Sequence, residues 1–207
     1  FFLQMFYCGM EQISNSTLSK YLTYPKSTPN GSTRLKLFYT NDWHGQTDNM
    51  GGILGGSLQF DSSTKGQKLD TLKLVAGDSW SGANTKKNNL ILNLMNYMGF
   101  DACTLGNHEL DAGTQAMEQI VNNSSGTKFI SSNLKKQDGS NPKGVENSFI
   151  KEVNGNKYGI IGLSPLDLKT VVATEKIPDI DVHDLNQTIA AAQDEINKMK
   201  AQGVNKI

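Results

Sequence analysis

Residues 105–113, with the sequence LGNHELDAG, place an amide, an imidazole and a carboxylate between a short apolar segment and a predicted helix. The preceding residues 101–105, DACTL, predict a short buried strand, and Gly106 allows a sharp turn where that strand ends. Asn107 and His108 would then lie at the carboxyl end of a strand. Ligands of open α/β sheets bind at that edge, so this stretch is expected to belong to a functional site.

Two earlier segments repeat the pattern of an apolar run followed by ligand-type residues. Residues 35–40, LKLFYT, precede Asp42 and His44, and residues 72–76, LKLVA, precede Asp78. If the three strands are neighbours in one parallel sheet, their polar ends converge on one edge although they are far apart in sequence. Asp42 and His44 are two residues apart, so an extended backbone would direct both side chains to the same side.

Apolar spacing and turn residues predict the remaining elements of an α/β fold with a mainly parallel sheet and helices on both faces. First come a glycine-rich loop at residues 49–52, which leads into a short helix that ends near residue 60, and a helix over 88–98 stopped by Gly99. A helix over 114–121 and a strand over 128–131 follow. A surface loop over 135–147 and a hairpin of residues 148–153 and 157–163 complete this part.

The last part of the sequence predicts one long helix and the start of a strand. Asp184 is expected to cap the helix, and a new buried strand is expected to start within residues 203–207. The predicted apolar stripe of the helix consists of Leu185, Ile189, Ala192, Ile196 and Met199.

The composition of the 207 residues fits one globular domain, with 37% hydrophobic residues. Lys plus Arg and Asp plus Glu number 20 each, so no overall charge favours nucleic acid as a partner. Arg34 is the only arginine, which leaves almost no capacity for bidentate binding of phosphate by guanidinium groups. An anionic substrate would therefore have to be held by metals or by another domain.

The first 33 residues are expected to lie outside the folded domain. Residues 1–9, FFLQMFYCG, resemble the tail of a hydrophobic export segment but are too short to span a bilayer. Cys8 is either a lipid-modified cysteine at a processed N-terminus or part of a disordered apolar remnant. Residues 11–32 have the polar composition of a tether. No disulfide is predicted between Cys8 and Cys103.

Taken together, these motifs resemble the calcineurin-like metallophosphoesterases. The D-x-H pattern at Asp42, the Gly77–Asp78 pair and the G-N-H-E run with Asp111 three residues after its histidine are most similar to the 5′-nucleotidase branch. That branch also includes cyclic-nucleotide phosphodiesterases and UDP-sugar hydrolases. The resemblance runs from about Arg34 to the last residue. The chain departs from the family pattern within residues 51–55, GGILG, because no basic residue stands just after the glycine pair.

The resemblance implies an αββα sandwich and a division of the chain at residue 34. Residues 1–33 would be the export remnant and tether, and residues 34–207 would be a catalytic domain that is incomplete at its C-terminal end. A C-terminal substrate-binding domain of the family would be absent. The same resemblance implies a location outside the cytoplasm, either periplasmic, cell-surface or secreted.

The resemblance also implies a dinuclear metal site with a general acid beside it. Asp42 and His44 would bind the first metal, Asp78 would bridge both metals, and Asn107 would bind the second. Mn, Zn, Fe, Mg and Ni suit these oxygen and nitrogen donors. Two divalent ions and two carboxylates leave an excess of positive charge for an anionic substrate. His108 would be catalytic, and Asp111 would orient it.

The implied activity is hydrolysis of small phosphoesters, as in a 5′-nucleotidase or a 2′,3′-cyclic phosphodiesterase. Besides these ligands the chain offers only His183 as a histidine donor, whereas the family takes further histidines from later strands. The alternative is therefore a catalytically incomplete fragment that acts as a metal- or partner-binding surface module. A third possibility is an α/β domain without metal.

Three further residue types have simple structural interpretations. Trp43 and Trp80 are expected to pack in the core, and Glu109 is expected to favour the start of the next helix through the helix dipole. His183 is expected to be a solvated surface residue.

Overall fold

Parallel strands bring the polar ends of three distant segments to one edge of a sheet. The computed structural model describes residues 35–64 and 71–207, and residues Leu35–Ile207 fall in one compact unit. The expectations for residues 1–33 lie outside the described residues. The described strands are β1 (Lys36–Thr40), β2 (Thr71–Val75), β3 (Ala102–Thr104), β4 (Lys128–Ile130), β5 (Leu134–Lys136), β6 (Val145–Glu146), β7 (Ser148–Val153), β8 (Asn156–Ile161) and β9 (Ile180–Val182).

The main sheet has five parallel strands in the order β1-β2-β3-β4-β6. Thr40 at the end of β1 lies opposite Val75, and Val75 lies opposite Cys103 of β3. The prediction that the first three strands are parallel neighbours is confirmed. Their carboxyl ends therefore share one edge of the sheet.

The described helices are α1 (Thr47–Thr64), α2 (Thr85–Tyr97), α3 (Thr114–Asn122), α4 (Leu168–Val171) and α5 (Leu185–Ala201). The two predicted helices are confirmed as α2 and α3, although α2 begins three residues earlier than predicted, and Gly99 follows α2 with a φ of 69°. Two fully buried side chains on each helix, Ile91 and Met95 on α2 and Met117 and Ile120 on α3, belong to one core cluster.

The predicted glycine-rich loop at residues 49–52 is wrong, because these residues lie inside α1. Glycine in a helix interior costs about 1 kcal/mol relative to alanine, which argued against a helix. Ile53 and Leu54 of α1 pack against the core cluster, so tertiary packing outweighs that local preference. A Cβ at Gly51 or Gly52 would meet no atom within 4 Å, so these glycines are not needed for a close approach.

The surface loop predicted over residues 135–147 is also wrong, because β5 and β6 occupy its ends. β5 pairs antiparallel with β9, and β6 extends the main sheet beside β4. Two- and three-residue strands carry almost no periodicity, and their pairing partners decide that they form. The hairpin of β7 and β8 is confirmed, and its turn residues Asn154 and Gly155 have φ values of 50° and 71°.

The N-terminus of α5 is confirmed by a capping box between Asp184 and Gln187. The predicted apolar stripe is wrong at its first turns, because Leu185 is 59% exposed and Ile189 is 58% exposed. The helix buries Glu195 instead, whose carboxylate accepts hydrogen bonds from Asn147 at 3.1 Å and from the Ser148 hydroxyl. Those polar partners fix the rotation of the helix.

The last residues begin to pair with β8, as expected. The Gly159 amide donates to the Lys206 carbonyl at 2.7 Å, and Tyr158 and Lys206 form a parallel bridge. A Cβ at Gly159 would collide with the Met199 sulfur, so this glycine allows α5 to lie close to β8. Within the described part of the chain, no helix is both long enough and apolar enough to cross a membrane.

Candidate metal centre

The loop after β1 carries Asp42 and His44 in left-handed backbone conformations, with φ values of 57° and 50°. This differs from the extended backbone expected for the pair. The amide of Asp42 donates to the Gly77 carbonyl at 3.2 Å, and the amide of His44 donates to the Asp78 carbonyl at 2.9 Å. Trp43 between them is 2% exposed and packs edge-on against Phe100. The loop is thus held to the end of β2 while its intervening residue anchors it in the core.

The loop after β2 places Asp78 against the loop after β3. Asp78 has a φ of 55°, and its Oδ1 accepts a hydrogen bond from the His108 amide at 2.9 Å. A Cβ at Gly106 would collide with Asp78 Oδ1 and lie 2.7 Å from its Cγ. Gly106 is therefore required to let the two loops meet, whereas the sequence predicted only a sharp turn at this residue.

The structure brings Asp42, His44 and Asp78 into one cluster. One ligand atom from each of the three residues lies within 4.8 Å of the others. The His44 Nε2 atom is shielded from solvent and makes no hydrogen bond within the described residues. It lies 3.3 Å from Asp42 Oδ1, at an angle that does not form a hydrogen bond. Two carboxylates and an imidazole nitrogen without a hydrogen bond are a donor set suited to a divalent cation.

His108 and Asp111 lie beside this cluster and contact each other. His108 Nδ1 is 2.9 Å from Asp111 Oδ2, and the His108 ring lies 4.5 Å from the His44 ring between centroids. Partial burial would lower the pKa of His108, but the hydrogen bond and the charge of Asp111 outweigh it and raise that pKa above its usual value. The ring is thus biased toward its protonated form, the form that can donate a proton.

Asn107 occupies the position next to His108 on the same turn. Its backbone carbonyl accepts a hydrogen bond from the Leu110 amide at 3.1 Å, and its side chain is partly exposed. In the described part of the chain no hydrogen bond occupies the Asn107 amide group. Within the described residues its side chain therefore has no competing hydrogen bond.

Glu109 was predicted to favour the start of the next helix, and that interpretation is wrong. It is 1% exposed, and its carboxylate accepts hydrogen bonds from the amides of Asp78 at 2.9 Å, Ser79 at 2.7 Å and Gly106 at 2.8 Å. Burial and the charge of Asp78 raise the pKa of Glu109 to about 7, against the lowering effect of the three amides. Glu109 therefore joins the loops after β2 and β3. Its place inside the G-N-H-E run was the available sequence signal.

The other interpretations of single residues are resolved by burial. Trp43 and Trp80 are packing residues, at 2% and 1% exposed. Cys103 is fully buried in β3, and Cys8 lies outside the described residues.

His183 is only partly exposed, and its Nδ1 is shielded and unpaired within the described residues, so its description as a solvated residue is wrong. Its amide is tied to the Asn133 carbonyl, which holds it at the end of β9.

Known proteins resemble this chain over most of its length. No family model matches it. A cell wall protein of Listeria monocytogenes is 26% identical over 84% of the chain, and a snake venom 5′-nucleotidase of Gloydius brevicauda is 27% identical over 86% of it. The chain spans only 26% and 32% of the length of these two relatives.

Solved structures share the fold. The 5′-nucleotidase precursor of Thermus thermophilus superposes with a TM-score of 0.66 at 22% identity, covering 84% of this chain and 36% of that one. The calcineurin-like phosphoesterase YfkN of Bacillus subtilis gives 0.65 at 22% identity, covering 83% and 59%. The chain is thus similar in sequence to a curated 5′-nucleotidase and in fold to solved phosphoesterases. Its α/β architecture is the metallophosphoesterase fold, as expected from the motifs.

The cluster of Asp42, His44 and Asp78 presents oxygen and nitrogen donors of the kind that bind divalent cations, and one of them is a shielded imidazole nitrogen. The similar proteins include a cell wall protein and a snake venom 5′-nucleotidase.

Proposed function

We propose that the chain forms the metal-binding catalytic part of a dinuclear, metal-dependent phosphoester hydrolase of the 5′-nucleotidase or 2′,3′-cyclic phosphodiesterase type. The observation that carries the proposal is the convergence of Asp42, His44 and Asp78, with ligand atoms within 4.8 Å, at the carboxyl edge of a parallel sheet. Residues 34–207 are assigned to the catalytic domain, and residues 1–33 to the export remnant and tether.

In this proposal Asp42 and His44 bind one ion, Asp78 bridges two ions, and Asn107 contributes to the second. Bound divalent cations would supply charge neutralisation for the phosphoryl group and lower the pKa of an attacking water. The chain itself supplies rigid positioning, because the amides of Asp42, His44 and His108 are each hydrogen-bonded to the loop after β2. Rigid ligands reduce the reorganisation needed during the reaction.

His108 is assigned as the residue that donates a proton or hydrogen bond to the leaving oxygen of the substrate. Asp111 Oδ2 at 2.9 Å holds Nδ1, which leaves Nε2 of the same ring free to face the substrate. Burial opposes protonation, but the hydrogen bond and the charge of Asp111 raise the pKa of His108 and so favour the form that carries this proton. Asp111 orients and charges the ring without contacting the substrate.

The proposed substrate is a nucleotide, and the proposed location is extracytoplasmic. Both follow from the names of the related proteins, which include a 5′-nucleotidase from venom and a cell wall protein. Because the chain has no net charge, with 20 basic and 20 acidic residues, attraction for the nucleotide phosphate must come from the metal-loaded site or from another domain.

The test is a hydrolysis assay on the naturally produced protein and on the 207-residue chain. Both are stripped with chelator, reloaded with manganese, zinc or magnesium, and offered nucleoside monophosphates, 2′,3′-cyclic nucleotides and nucleotide sugars. Asp78→Asn serves as the metal-site variant, and Asp194→Asn serves as its matched control, because Asp194 is an exposed carboxylate on α5. Metal-dependent release of phosphate that Asp78→Asn removes and Asp194→Asn retains supports the proposal. Turnover that is insensitive to chelator and to Asp78→Asn would overturn it.

A further inference from the structure

Asn88 is a fully buried polar residue in the first turns of α2, at 0% exposed. Its Nδ2 donates to the carbonyl of Gly82 at 3.0 Å. Its Oδ1 is buried and makes no hydrogen bond within the described residues. On the same helix Ile91, Leu92 and Met95 are buried as apolar residues, so Asn88 is a polar exception on the core side of α2.

Gly82 connects this asparagine to the proposed proton donor. The Gly82 amide donates to Asp111 Oδ2 at 2.7 Å, and the same oxygen lies 2.9 Å from His108 Nδ1. Hydrogen bonds thus link Asn88 to Gly82, Gly82 to Asp111, and Asp111 to His108. A displacement of Gly82 would move the carboxylate oxygen that orients the imidazole.

Hydrogen bonds on both its amide and its carbonyl hold Gly82 in place. Gly82 is exposed, has a φ of 71°, and a Cβ built on it would meet no atom within 4 Å. The Asn88 amide is the side chain that binds its carbonyl. The loop segment that carries the donor to Asp111 is therefore fixed by Asn88 from the core side.

Stability alone does not account for an asparagine at this position. A buried amide oxygen without a partner costs free energy, and an apolar side chain of similar volume avoids that cost. An incompletely satisfied buried polar group calls for an explanation, and a functional role is one kind of explanation. The connection to Asp111 provides one.

We propose that Asn88 is a positioning residue for the His108–Asp111 pair, acting through the backbone of Gly82. This inference rests on the proposed function for the role of His108 on the substrate, but the geometry it concerns is measurable without turnover. Asn88 does not touch the substrate. It restricts the ring of His108 to the orientation in which Nδ1 faces Asp111.

The test is nuclear magnetic resonance of the histidine side chains in the full chain at one fixed pH. The chain has three histidines, so single substitutions of His44 and His183 assign the His108 ring. Asn88→Leu and Asn88→Ala are compared with Asn89→Leu, a neighbour on α2 whose Nδ2 donates to Thr85 within its own helix. Backbone amide spectra and thermal melting establish whether each variant is folded.

We expect a protected His108 Nδ1–H proton in the unmodified chain and in Asn89→Leu. In the folded Asn88 variants its exchange with water should be about 10-fold faster, while the melting temperature of Asn88→Leu is not lowered. An unchanged His108 signal in both Asn88 variants would overturn the inference. Loss of folding in both would also overturn it, because Asn88 would then serve stability.

Kinetics separate this inference from the proposed function. In a protein that hydrolyses the substrate panel, Asn88→Leu should lower kcat about 10-fold and leave KM within about two-fold. If the unmodified, metal-loaded protein hydrolyses no phosphoester, the proposed function fails. The exchange measurement still decides whether Asn88 positions His108.

Discussion

Single residues at the metal centre have backbone conformations that their side chains disfavour. Asp42, His44 and Asp78 have φ values between 50° and 57°, where a residue with a Cβ is strained by about 1–2 kcal/mol. Non-glycine residues keep such conformations only where surrounding contacts enforce them, and such residues cluster at functional sites. In this chain the amides of Asp42 and His44 are hydrogen-bonded to the carbonyls of Gly77 and Asp78.

Strain at Asp42 predicts a difference between two substitutions. Asp42→Gly should give a metal-free protein that is more stable than Asp42→Ala by about 1 kcal/mol, because glycine relieves the left-handed conformation. Both variants lose the same carboxylate, so its electrostatic effect cancels. Urea unfolding in the presence of chelator measures the difference. Equal stabilities would show that the backbone at Asp42 is not strained.

The proposed ligand roles predict unequal effects on metal content. Asp78→Ala should abolish binding of both ions, because a bridging carboxylate serves both, whereas Asn107→Ala should weaken mainly the second. Elemental analysis of the purified proteins gives the number of metal ions per chain. Asp194→Ala is the control, because Asp194 is an exposed carboxylate on α5. Near-normal loading in Asp78→Ala would rule out the bridging role.

The proposed role of His108 predicts a loss of rate without a loss of metal. His108→Asn in the natural protein should lower kcat by about 10²–10⁴-fold, the range for removing a general acid or a transition-state donor. Asp111→Asn should act in the same direction but less, because Asp111 only orients and charges the ring. Steady-state kinetics and elemental analysis are measured together. If His108→Asn lost metal as severely as Asp78→Ala, His108 would be a ligand instead.

At the scale of elements, the site is assembled where the loops after β1, β2 and β3 meet. Glu109 joins two of these loops by accepting three backbone amides, and Gly106 allows the third strand's loop to reach Asp78. Gly77 has a φ of 92°, and a Cβ on it would lie 2.8 Å from the Gly106 nitrogen. Close contact between these loops therefore depends on glycine on both sides.

This contact predicts a specific effect of adding one methyl group. Gly106→Ala should destabilise the protein by about 1–3 kcal/mol and weaken metal binding, because its Cβ would displace the Asp78 carboxylate. Gly55→Ala is the matched control, since a Cβ there meets no atom within 4 Å and the residue lies inside α1. The control should raise stability by up to about 1 kcal/mol. Urea unfolding and metal titration of the two variants are compared, and normal metal affinity in Gly106→Ala would contradict the steric argument.

At the scale of the whole molecule, the proposed metal binding would be coupled to folding through the shared sheet edge. The proposed ligands come from loops after different strands, so they converge only when the parallel sheet has formed. A cation that binds the folded chain and not the unfolded one stabilises the folded state by mass action.

Metal should therefore raise the melting temperature of the whole domain. At a concentration about 100 times the dissociation constant, a single site contributes about 2.7 kcal/mol, which corresponds to roughly 5–10 °C for a domain of this size. Thermal melting with and without manganese or zinc measures the shift. Asp78→Ala should show almost none, and an equal shift in that variant would place the metal elsewhere.

Periodicity and turn residues predicted the parts of the fold that are settled locally. The helices at residues 88–98 and 114–121, the capping box at Asp184 and the β7–β8 hairpin were predicted correctly, because spacing, caps and turn residues are local properties. The motifs around Asp42, Asp78 and His108 also predicted which residues meet at the sheet edge. Parallel strands whose ends carry polar residues require that convergence.

Only the tertiary structure decided the features that depend on distant partners. The glycine-rich segment is helical because Ile53 and Leu54 reach the core, and β5 and β6 exist because β9 and β4 pair with them. The rotation of α5 buries Glu195 together with Met199 and leaves Leu185 and Ile189 exposed. The hydrogen bonds that join Glu109 to the loop after β2, and Asn88 to the carbonyl of Gly82, likewise form only in the folded chain. Sequence patterns report preferences of neighbouring residues, whereas these contacts join segments tens of residues apart.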